Sequence, residues 1–221
     1  MNSSMKWERL YQNKKQLSAW PWSDLVSYVM RYTDPKQLDF SVLELGCGSG
    51  ANIPFFKKLG VKYYGIEGSP TVVKYLTETY PELKDNLLVG DFTREIPFAQ
   101  SFDLVVDRGS LTHNSTKALQ NALKILYPKI KCGGKIISIG FFSTESTDFK
   151  EGRPSEDAYS REGFTRGHLA GTGLVHFADK AHLQELFSHF EFKVLEHTSV
   201  QREIPVDQDI LAFWNFVVMK K

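Results

Sequence analysis

The stretch FSVLELGCGSGA, residues 40–51, decides the fold of this 221-residue chain. Its first half, residues 40–45, is a short and mostly apolar run that predicts a buried strand. Residues 52–59 follow with a helical pattern that ends at Gly60. The glycines between strand and helix predict a tight turn, where backbone N–H groups and the positive helix end approach an anion. The stretch therefore predicts a strand-turn-helix unit that carries a binding site.

Strand-like and helix-like segments alternate on the C-terminal side of this turn. Ser69 and Pro70 open one helix with a capping hydroxyl and a proline in the first turn, and another helix begins at about Ser115. Parallel strands need long crossover connections, which are right-handed and usually helical, so the alternation predicts an α/β fold. The predicted strands after the first are residues 61–67, 86–91, 102–107 and 134–139.

The C-terminal segments 192–198 and 210–219 predict two more strands, which pair antiparallel at one edge of the sheet. The expected fold is a doubly wound, mostly parallel seven-stranded sheet with helices on both faces and an antiparallel C-terminal strand. At this length we expect one domain over residues 1–221. It includes an N-terminal helical cap at about residues 1–36 and a substrate or lid loop at about residues 143–176.

The composition excludes several classes of protein. Apolar residues make up 42% and charged residues 24% of the chain, which is typical of a globular protein and not of a disordered one. No apolar run is long enough to span a bilayer, and the N-terminus lacks the apolar core of a secretory signal, so no membrane partner is expected. Cys47 and Cys132 are too few for a disulfide framework or a zinc site, so we expect no metal and a cytoplasmic location.

The formal net charge of +1 argues against a nucleic-acid partner, because affinity for the phosphate backbone requires a basic surface. The glycine turn by itself leaves two ligands open, since it also fits the Gly-x-Gly-x-x-Ala pattern of dinucleotide-binding folds. Glu67, at the end of the second strand, is placed to bind ribose hydroxyls of either ligand. Glu44 before the turn, and Asp91 with Phe92 after the third strand, favour an adenosyl ligand over NAD.

Five motifs in order complete the pattern: ELGCGSG (44–50), GIEGS (65–69), VGDF (89–92), FDLVVD (102–107) and GGKII (133–137). Each lies at the expected strand, and together they resemble the motifs of class I S-adenosylmethionine-dependent methyltransferases. The resemblance covers about residues 40–142 and extends to the paired C-terminal strands. It implies S-adenosyl-L-methionine as cofactor and S-adenosyl-L-homocysteine as product.

The resemblance also implies roles for individual residues. Glycines of the turn would surround the methionine part of the cofactor, Glu67 the ribose diol, and Asp91 with Phe92 the adenine. Asp107 would lie near the amino group and the transferred methyl, while Cys47 is interpreted as a small side chain of the turn and not as a nucleophile. The cofactor-binding residues expected in this way are Glu44, Gly46, Cys47, Gly48, Gly50, Glu67, Gly68, Asp91, Phe92 and Asp107.

The segment DRGSLTH, residues 107–113, occupies the place where class I enzymes vary with their substrate. It lacks the Asn/Asp-Pro-Pro-Tyr/Phe motif associated with methylation of nucleobase or glutamine amino groups. His113 and Asp107 are the catalytic candidates. For His113 two roles stay open, a general base that titrates near neutrality or a loop histidine that hydrogen-bonds to the backbone.

The acceptor site is expected between the N-terminal aromatic residues and the long segment after the fifth strand. Trp22 is either part of an aromatic lid or a staple onto a core helix, and the cationic groups of the long segment either hold a carboxylate or phosphate or are solvated loop residues. The substrate-binding candidates are Trp22, Arg108, Arg166, His168 and His176.

The favoured function is methyl transfer to a small-molecule acceptor, in which the protein holds the acceptor in line with the methyl–sulfur bond. A protein or RNA methyltransferase, an NAD-dependent oxidoreductase and a non-catalytic ligand-binding subunit are the alternatives. The sequence leaves the acceptor atom and the oligomeric state undetermined.

Overall fold

A mostly parallel sheet forms the centre of the structure, a computed structural model that describes residues 3–12 and 18–221. Its strands, with those of a smaller sheet, are β1 (Ser41–Leu45), β2 (Lys62–Glu67), β3 (Leu87–Val89), β4 (Phe102–Arg108), β5 (Ile130–Phe142), β6 (Arg153–Pro154), β7 (Ser160–Glu162), β8 (Val175–His176), β9 (Phe190–Gln201) and β10 (Ile210–Lys220). The central sheet has seven strands in the order β3-β2-β1-β4-β5-β10-β9. The first five are parallel, and β10 is antiparallel to both β5 and β9. The predicted fold class is therefore confirmed.

The helices begin and end where local chemistry predicts. The Ser69 hydroxyl accepts a hydrogen bond from the backbone N–H of Val72 at 3.2 Å, and the carboxylate of Asp179 accepts one from His182 N–H at 2.8 Å. Gly60 ends its helix with φ +74°. The helices are α1 (Ser3–Gln12), α2 (Ser23–Tyr32), α3 (Ile53–Leu59), α4 (Pro70–Thr79), α5 (Thr116–Leu126), α6 (Thr147–Glu151) and α7 (Lys180–Leu186).

Two apolar cores lie on the two faces of the central sheet. Alternate strand residues point to opposite faces, so Leu43 and Leu45 of β1 join one core and Val42 joins the other. Helices α5 and α7 cover the first face, and α2, α3 and α4 cover the second. Because both faces are covered, the carboxyl ends of the parallel strands form an edge at which a ligand can bind.

The segment after β5 is more ordered than the loop expected from its polar sequence. It contains α6 and a three-stranded antiparallel sheet of β6, β7 and β8. Four buried apolar residues stabilise it as a small core of its own: Phe164, Leu169, Val175 and Phe177. These residues are spaced without a helical or strand period, and for this reason the sequence pattern did not reveal the core.

Two helices, α1 and α2, lie within the predicted N-terminal cap; its other parts, residues 1–2 and 13–17, lie outside the described residues. Leu25, Tyr28 and Val29 bury one side of α2 against the sheet. No helix within residues 3–12 and 18–221 is long and apolar enough to cross a membrane.

Candidate active site

Two adjoining cavities lie at the carboxyl edge of the parallel strands. The larger has a volume of about 1070 Å³ and extends from the glycine turn past the ends of β2 and β3. The smaller, of about 290 Å³, extends from the same turn towards the ends of β5 and β10. The larger is the first cavity and the smaller is the second cavity. The residues that line both are Trp7, Tyr11, Gly46, Arg108, Gly109 and His113.

The turn after β1 needs its glycines for different reasons. Gly46 has φ +61°, and a Cβ atom there would lie 2.5 Å from Cβ of Ser110. Gly48 has φ +51°, and its Cβ would lie 3.0 Å from the Tyr11 hydroxyl oxygen. Gly50 was expected to bind cofactor, but it is buried outside both cavities, and its Cβ would meet Leu76 at 2.5 Å. The third glycine therefore permits close packing of the turn on α4.

Glu67 is the last residue of β2, and its side chain holds the glycine turn in position. Its carboxylate accepts hydrogen bonds from the backbone N–H of Gly48 at 2.9 Å and of Ser69 at 3.0 Å. The side chain is buried, which raises its pKa, yet it lines the first cavity. Each carboxylate oxygen has two lone pairs, so Glu67 retains acceptor capacity on the side of the cavity.

Asp91 and Phe92 follow β3 and line the first cavity together with Gly68. One oxygen of Asp91 accepts hydrogen bonds from the backbone N–H of Thr93 at 2.9 Å and from its hydroxyl at 2.6 Å. The other oxygen lies 3.4 Å from Nε of Arg94. These bonds fix the orientation of the carboxylate at the cavity wall.

Glu44 and Cys47 line the second cavity from the turn. The carboxylate of Glu44 accepts hydrogen bonds from the Asn52 amide at 2.7 Å and the Tyr63 hydroxyl at 2.6 Å, and burial raises its pKa to about 7. Burial also raises the pKa of the Cys47 thiol. A protonated thiol is a poor nucleophile, which agrees with the interpretation of Cys47 as a small residue of the turn.

Asp107 is fully buried at the end of β4 and is not among the residues that line the cavities. One of its oxygens accepts hydrogen bonds from the backbone N–H groups of Ser110 and Leu111, both at 2.9 Å. The other accepts a bond from the Ser138 hydroxyl at 2.7 Å. The observed contacts of Asp107 position the loop after β4, and its place near the cofactor and the methyl group stays a prediction.

His113 lies in a short 3₁₀ turn, residues Leu111–His113, that separates the two cavities. Its Nδ1 is 3.3 Å from the carbonyl oxygen of Leu174, and its ring meets Trp7 edge-on at 4.9 Å. A carbonyl only accepts, so Nδ1 carries the proton and Nε2 has the free lone pair. Burial lowers the pKa of His113 to about 4, so the ring is neutral at pH 7. His113 therefore forms the expected hydrogen bond to the backbone and also lines both cavities.

Arg108 and Trp22 form a stacked pair beside the second cavity. The guanidinium carbon lies 3.7 Å from the centre of the Trp22 ring, and both residues line that cavity. Nε of Arg108 is buried and has no hydrogen-bond partner within the described residues. Trp22 therefore contributes to the cavity wall as well as to the packing around α2.

The long segment brings one of its three predicted substrate-binding residues to a cavity. His168 lines the second cavity, with its ring 5.7 Å from that of Phe142. Arg166 is exposed outside both cavities and forms ion pairs with Glu151 and Asp209. Its ion pairs hold two loops together, so the structure does not bring this predicted substrate-binding residue to either cavity.

His176, another predicted substrate-binding residue, also lies away from the cavities. Its side chain is fully buried outside both, and its Nε2 lies 3.1 Å from Nε2 of His182. Rings of Phe141 and Tyr159 also contact it. The structure therefore does not bring this residue to either cavity.

The sequence interpretation missed the residues of α1 that cover the site. Trp7 and Tyr11 line both cavities, and Glu8 accepts hydrogen bonds from the Ser69 and Thr71 hydroxyls at the start of α4. The spacing of Trp7 and Tyr11 by one helical turn was the available signal. Phe142 and Phe213 of the second cavity were also missed, because they read as ordinary strand residues.

Comparison with known proteins agrees with this geometry. Residues 42–134 match the family model described as a methyltransferase domain. No curated protein sequence matches the chain. The match, the sheet order and the ordered motifs agree with the resemblance to class I S-adenosylmethionine-dependent methyltransferases, a family whose cofactor is S-adenosyl-L-methionine.

Solved structures with the same fold are remote in sequence. An S-adenosylmethionine-dependent methyltransferase from Methanosarcina mazei aligns with a TM-score of 0.68 at 16% identity, over 91% of this chain and 98% of its own. The N-methyltransferase NodS from Bradyrhizobium japonicum, in complex with S-adenosylhomocysteine, gives 0.65 at 16%, over 100% and 99%. An amino pentose methyltransferase from Micromonospora echinaspora gives 0.57 at 16%, over 97% and 96%. At these identities the likeness establishes the fold.

Proposed function

We propose that this methyltransferase transfers the methyl group to a small molecule bound in the second cavity. The observation that carries the proposal is the cavity itself, which begins at the glycine turn and has a volume of only about 290 Å³. This volume lies at the lower end of the range for small-ligand sites. Its wall combines the apolar side chains of Trp22, Phe142, Leu211 and Phe213 with polar groups of Glu44, Asn52 and Arg108.

We propose that the adenosyl part of the cofactor lies in the first cavity. A Cβ atom at Gly46 would collide with Ser110, so only backbone borders the first cavity there. Glu67 retains lone pairs for the ribose hydroxyls, and Asp91 with Phe92 supplies an acceptor and a ring for the adenine. The residues present thus fit the cofactor of the family.

The cofactor supplies a methyl group that is already electrophilic because it is attached to a sulfonium. The protein therefore has to orient the acceptor and to remove water, not to activate the methyl strongly. Trp7 and Tyr11 of α1 cover the junction of the two cavities and exclude water from it. The loop after β4, held by Asp107, supports the junction from the other side.

His113 is proposed to accept a hydrogen bond from the acceptor through Nε2. Its pKa of about 4 makes it a weak base, so it orients a nucleophile better than it deprotonates an ammonium group. Asp107 is proposed to act as a positioning residue, because its oxygens are occupied by Ser110, Leu111 and Ser138.

Two neighbours in fold, NodS and the amino pentose methyltransferase, support an acceptor smaller than a macromolecule only by analogy. We also propose a reducing compartment such as the cytoplasm, because Cys132 is a free and exposed thiol.

Calorimetry with S-adenosylhomocysteine tests the cofactor site. Glu67→Gln keeps the size of the side chain but replaces the carboxylate, which accepts hydrogen bonds from the ribose hydroxyls, with a neutral amide. We therefore expect S-adenosylhomocysteine to bind roughly 10- to 100-fold more weakly. Glu82→Gln is the matched control, since Glu82 is exposed and pairs with Lys57 away from the cavities. Equal affinity of wild type and Glu67→Gln would refute the ribose assignment.

Labelled methyl transfer tests the size of the acceptor. The enzyme is incubated with a total cell extract and cofactor carrying a labelled methyl group, and the products are separated by acid precipitation. We expect label in the soluble, low-mass fraction. Label in precipitated protein or RNA would refute the small-molecule proposal and leave cofactor binding intact.

A further inference from the structure

We infer that Arg108 binds a carboxylate group of the methyl acceptor, so that the enzyme acts on a small, planar organic acid. The inference rests on the proposed function, because it places the acceptor in the second cavity. It adds the chemical class of the acceptor and the residue that selects it.

The contact with Trp22 orients the guanidinium group of Arg108 as a hydrogen-bond donor. The indole ring holds one face of the guanidinium at 3.7 Å, so the planar group is oriented before a ligand arrives. The donors of a guanidinium lie at its edge, and the edge that carries Nε is unused. Such an edge matches the two oxygens of a carboxylate.

The charge of Arg108 is not neutralised within the described residues. No ion pair or hydrogen bond of Arg108 is found there, although Asp24 and Asp107 are near enough to favour its charged form. Asp107 has its oxygens occupied by groups of the loop and of β5. Residues 1–2 and 13–17, outside the described part, include no Asp or Glu. A half-buried cation without a partner is costly, and an anionic ligand removes this cost.

The other charged groups at the second cavity are Asp24, Glu44 and His168. Asp24 favours the charged form of Arg108 but forms no ion pair with it within the described residues. Glu44 is held by Asn52 and Tyr63, and its pKa near 7 reduces its negative charge. Nδ1 of His168 lies 3.7 Å from Asp148. Arg108 is therefore the strongest anion-binding group of the cavity.

The shape of the cavity indicates the rest of the ligand. Rings of Trp22, Phe142 and Phe213 line the cavity, and that of Trp22 lies against Arg108. Such a wall favours a flat, apolar body attached to the carboxylate.

A carboxylate near the glycine turn has two sources, the acceptor and the amino-acid part of the cofactor, and the test separates them. Wild type is first saturated with S-adenosylhomocysteine, and ligand-observed NMR measures the binding of benzoate, phenylacetate and cinnamate. Their carboxamides serve as neutral controls of equal shape. We expect at least one acid to bind tenfold or more tightly than its amide, as for a charge-assisted pair of hydrogen bonds.

Arg108→Met removes the donor and keeps the apolar stem, so we expect the preference for acid over amide to disappear. Arg108→Lys keeps the charge without the planar fork, and we expect an intermediate preference. Arg202→Met is the control, because Arg202 is exposed in the connection between β9 and β10. Circular dichroism establishes that each variant is folded, and Arg108→Lys serves if Arg108→Met is not.

The second arm compares S-adenosylhomocysteine with 5′-methylthioadenosine, which lacks the amino-acid part. Unchanged affinity of Arg108→Met for both supports the acceptor as the source. Selective weakening of S-adenosylhomocysteine would overturn the inference, since Arg108 would then hold the cofactor's carboxylate. Equal binding of acids and amides to wild type would overturn it as well. Failure of wild type to bind S-adenosylhomocysteine would instead refute the proposed function.

Discussion

The two cavities differ in how the chain builds them. The first is formed by the ends of neighbouring parallel strands, and its polar contacts are short and local, such as Glu67 with Gly48 and Ser69. The second is assembled from α1, the start of α2, the glycine turn, the end of β5 with the segment after it, and the start of β10. Under the proposed function, the cofactor is bound at the sheet edge and the acceptor is enclosed by the added segments.

The two regions also differ in how they satisfy buried polar groups. Around the first cavity, carboxylates accept hydrogen bonds from backbone N–H groups. Around the second cavity and the adjoining segment, some buried polar groups have no partner within the described residues, among them Nε of Arg108 and Nδ1 of His176. A satisfied network is rigid, whereas unpaired groups are available to a ligand or sensitive to pH.

The largest effect is expected at the glycine turn. Gly50→Ala forces a Cβ atom to within 2.5 Å of Leu76 at φ +79°, so crowding is added to backbone strain. We expect a loss of about 2–4 kcal/mol in the free energy of unfolding, measured with urea. If Gly50→Ala left the free energy of unfolding unchanged, the sheet edge would be no more rigid than the second region.

Gly133→Ala is the control for backbone strain alone. Its φ is +73°, but no atom lies within 4 Å of the added methyl group. We expect a loss of about 1–2 kcal/mol, less than at Gly50. Equal losses of stability in the two variants would mean that the contact of the added methyl group with Leu76 of α4 does not destabilise Gly50→Ala.

A smaller effect is expected from the buried histidine pair of the second region. Burial and the neighbouring His182 lower the pKa of His176 to about 3, below the value of about 6.5 in unfolded chains. The unfolded state therefore binds the proton first, and stability falls as pH is lowered below about 6.5. Between pH 6.5 and 4.5 we expect wild type to lose about 1–2 kcal/mol more than His176→Gln.

Urea unfolding at several pH values measures this difference. Because the opposing titration of Glu44 is present in both proteins, it cancels in the comparison. His189→Gln is the control, since His189 is exposed, and its pH profile should follow wild type. If the stability of wild type and of His176→Gln changed with pH in the same way, the pH sensitivity assigned to the second region would be contradicted.

The smallest effect is expected at the contact of α1 with α4. Glu8→Gln weakens the hydrogen bonds to Ser69 and Thr71, so α1 should cover the site less firmly. Because this contact is largely at the surface, we expect a stability loss below about 1 kcal/mol. Hydrogen exchange of the α1 amides should accelerate measurably.

Glu78→Gln, an exposed change on α4, is the control for general charge effects. It should leave exchange in α1 at the wild-type rate. Unchanged exchange in Glu8→Gln would show that α1 is held by Trp7 and Tyr11 instead of by Glu8.

The strands and caps of the first region were predictable because their signals are local. An apolar run followed by glycines predicted β1 and its turn, and the capping pattern at Ser69 predicted the start of α4. The small core of Phe164 and Phe177 was not predictable, since residues without a period leave no local signal. Gly50 shows the same limit within a motif, because its role depends on Leu76, which lies 26 positions away in the chain.

The sequence by itself determined the strands of the central sheet and their connecting helices, the glycine turn and the carboxylates at the strand ends, because each of these depends on neighbouring residues. Only the tertiary structure decided that His176 is buried, that Arg166 is engaged in ion pairs and that α1 covers both cavities. It also decided that Arg108 lies on Trp22 without an anionic partner within the described residues. These outcomes depend on contacts between segments distant along the chain, whose relative placement is set by the packing of the whole fold and not by local pattern.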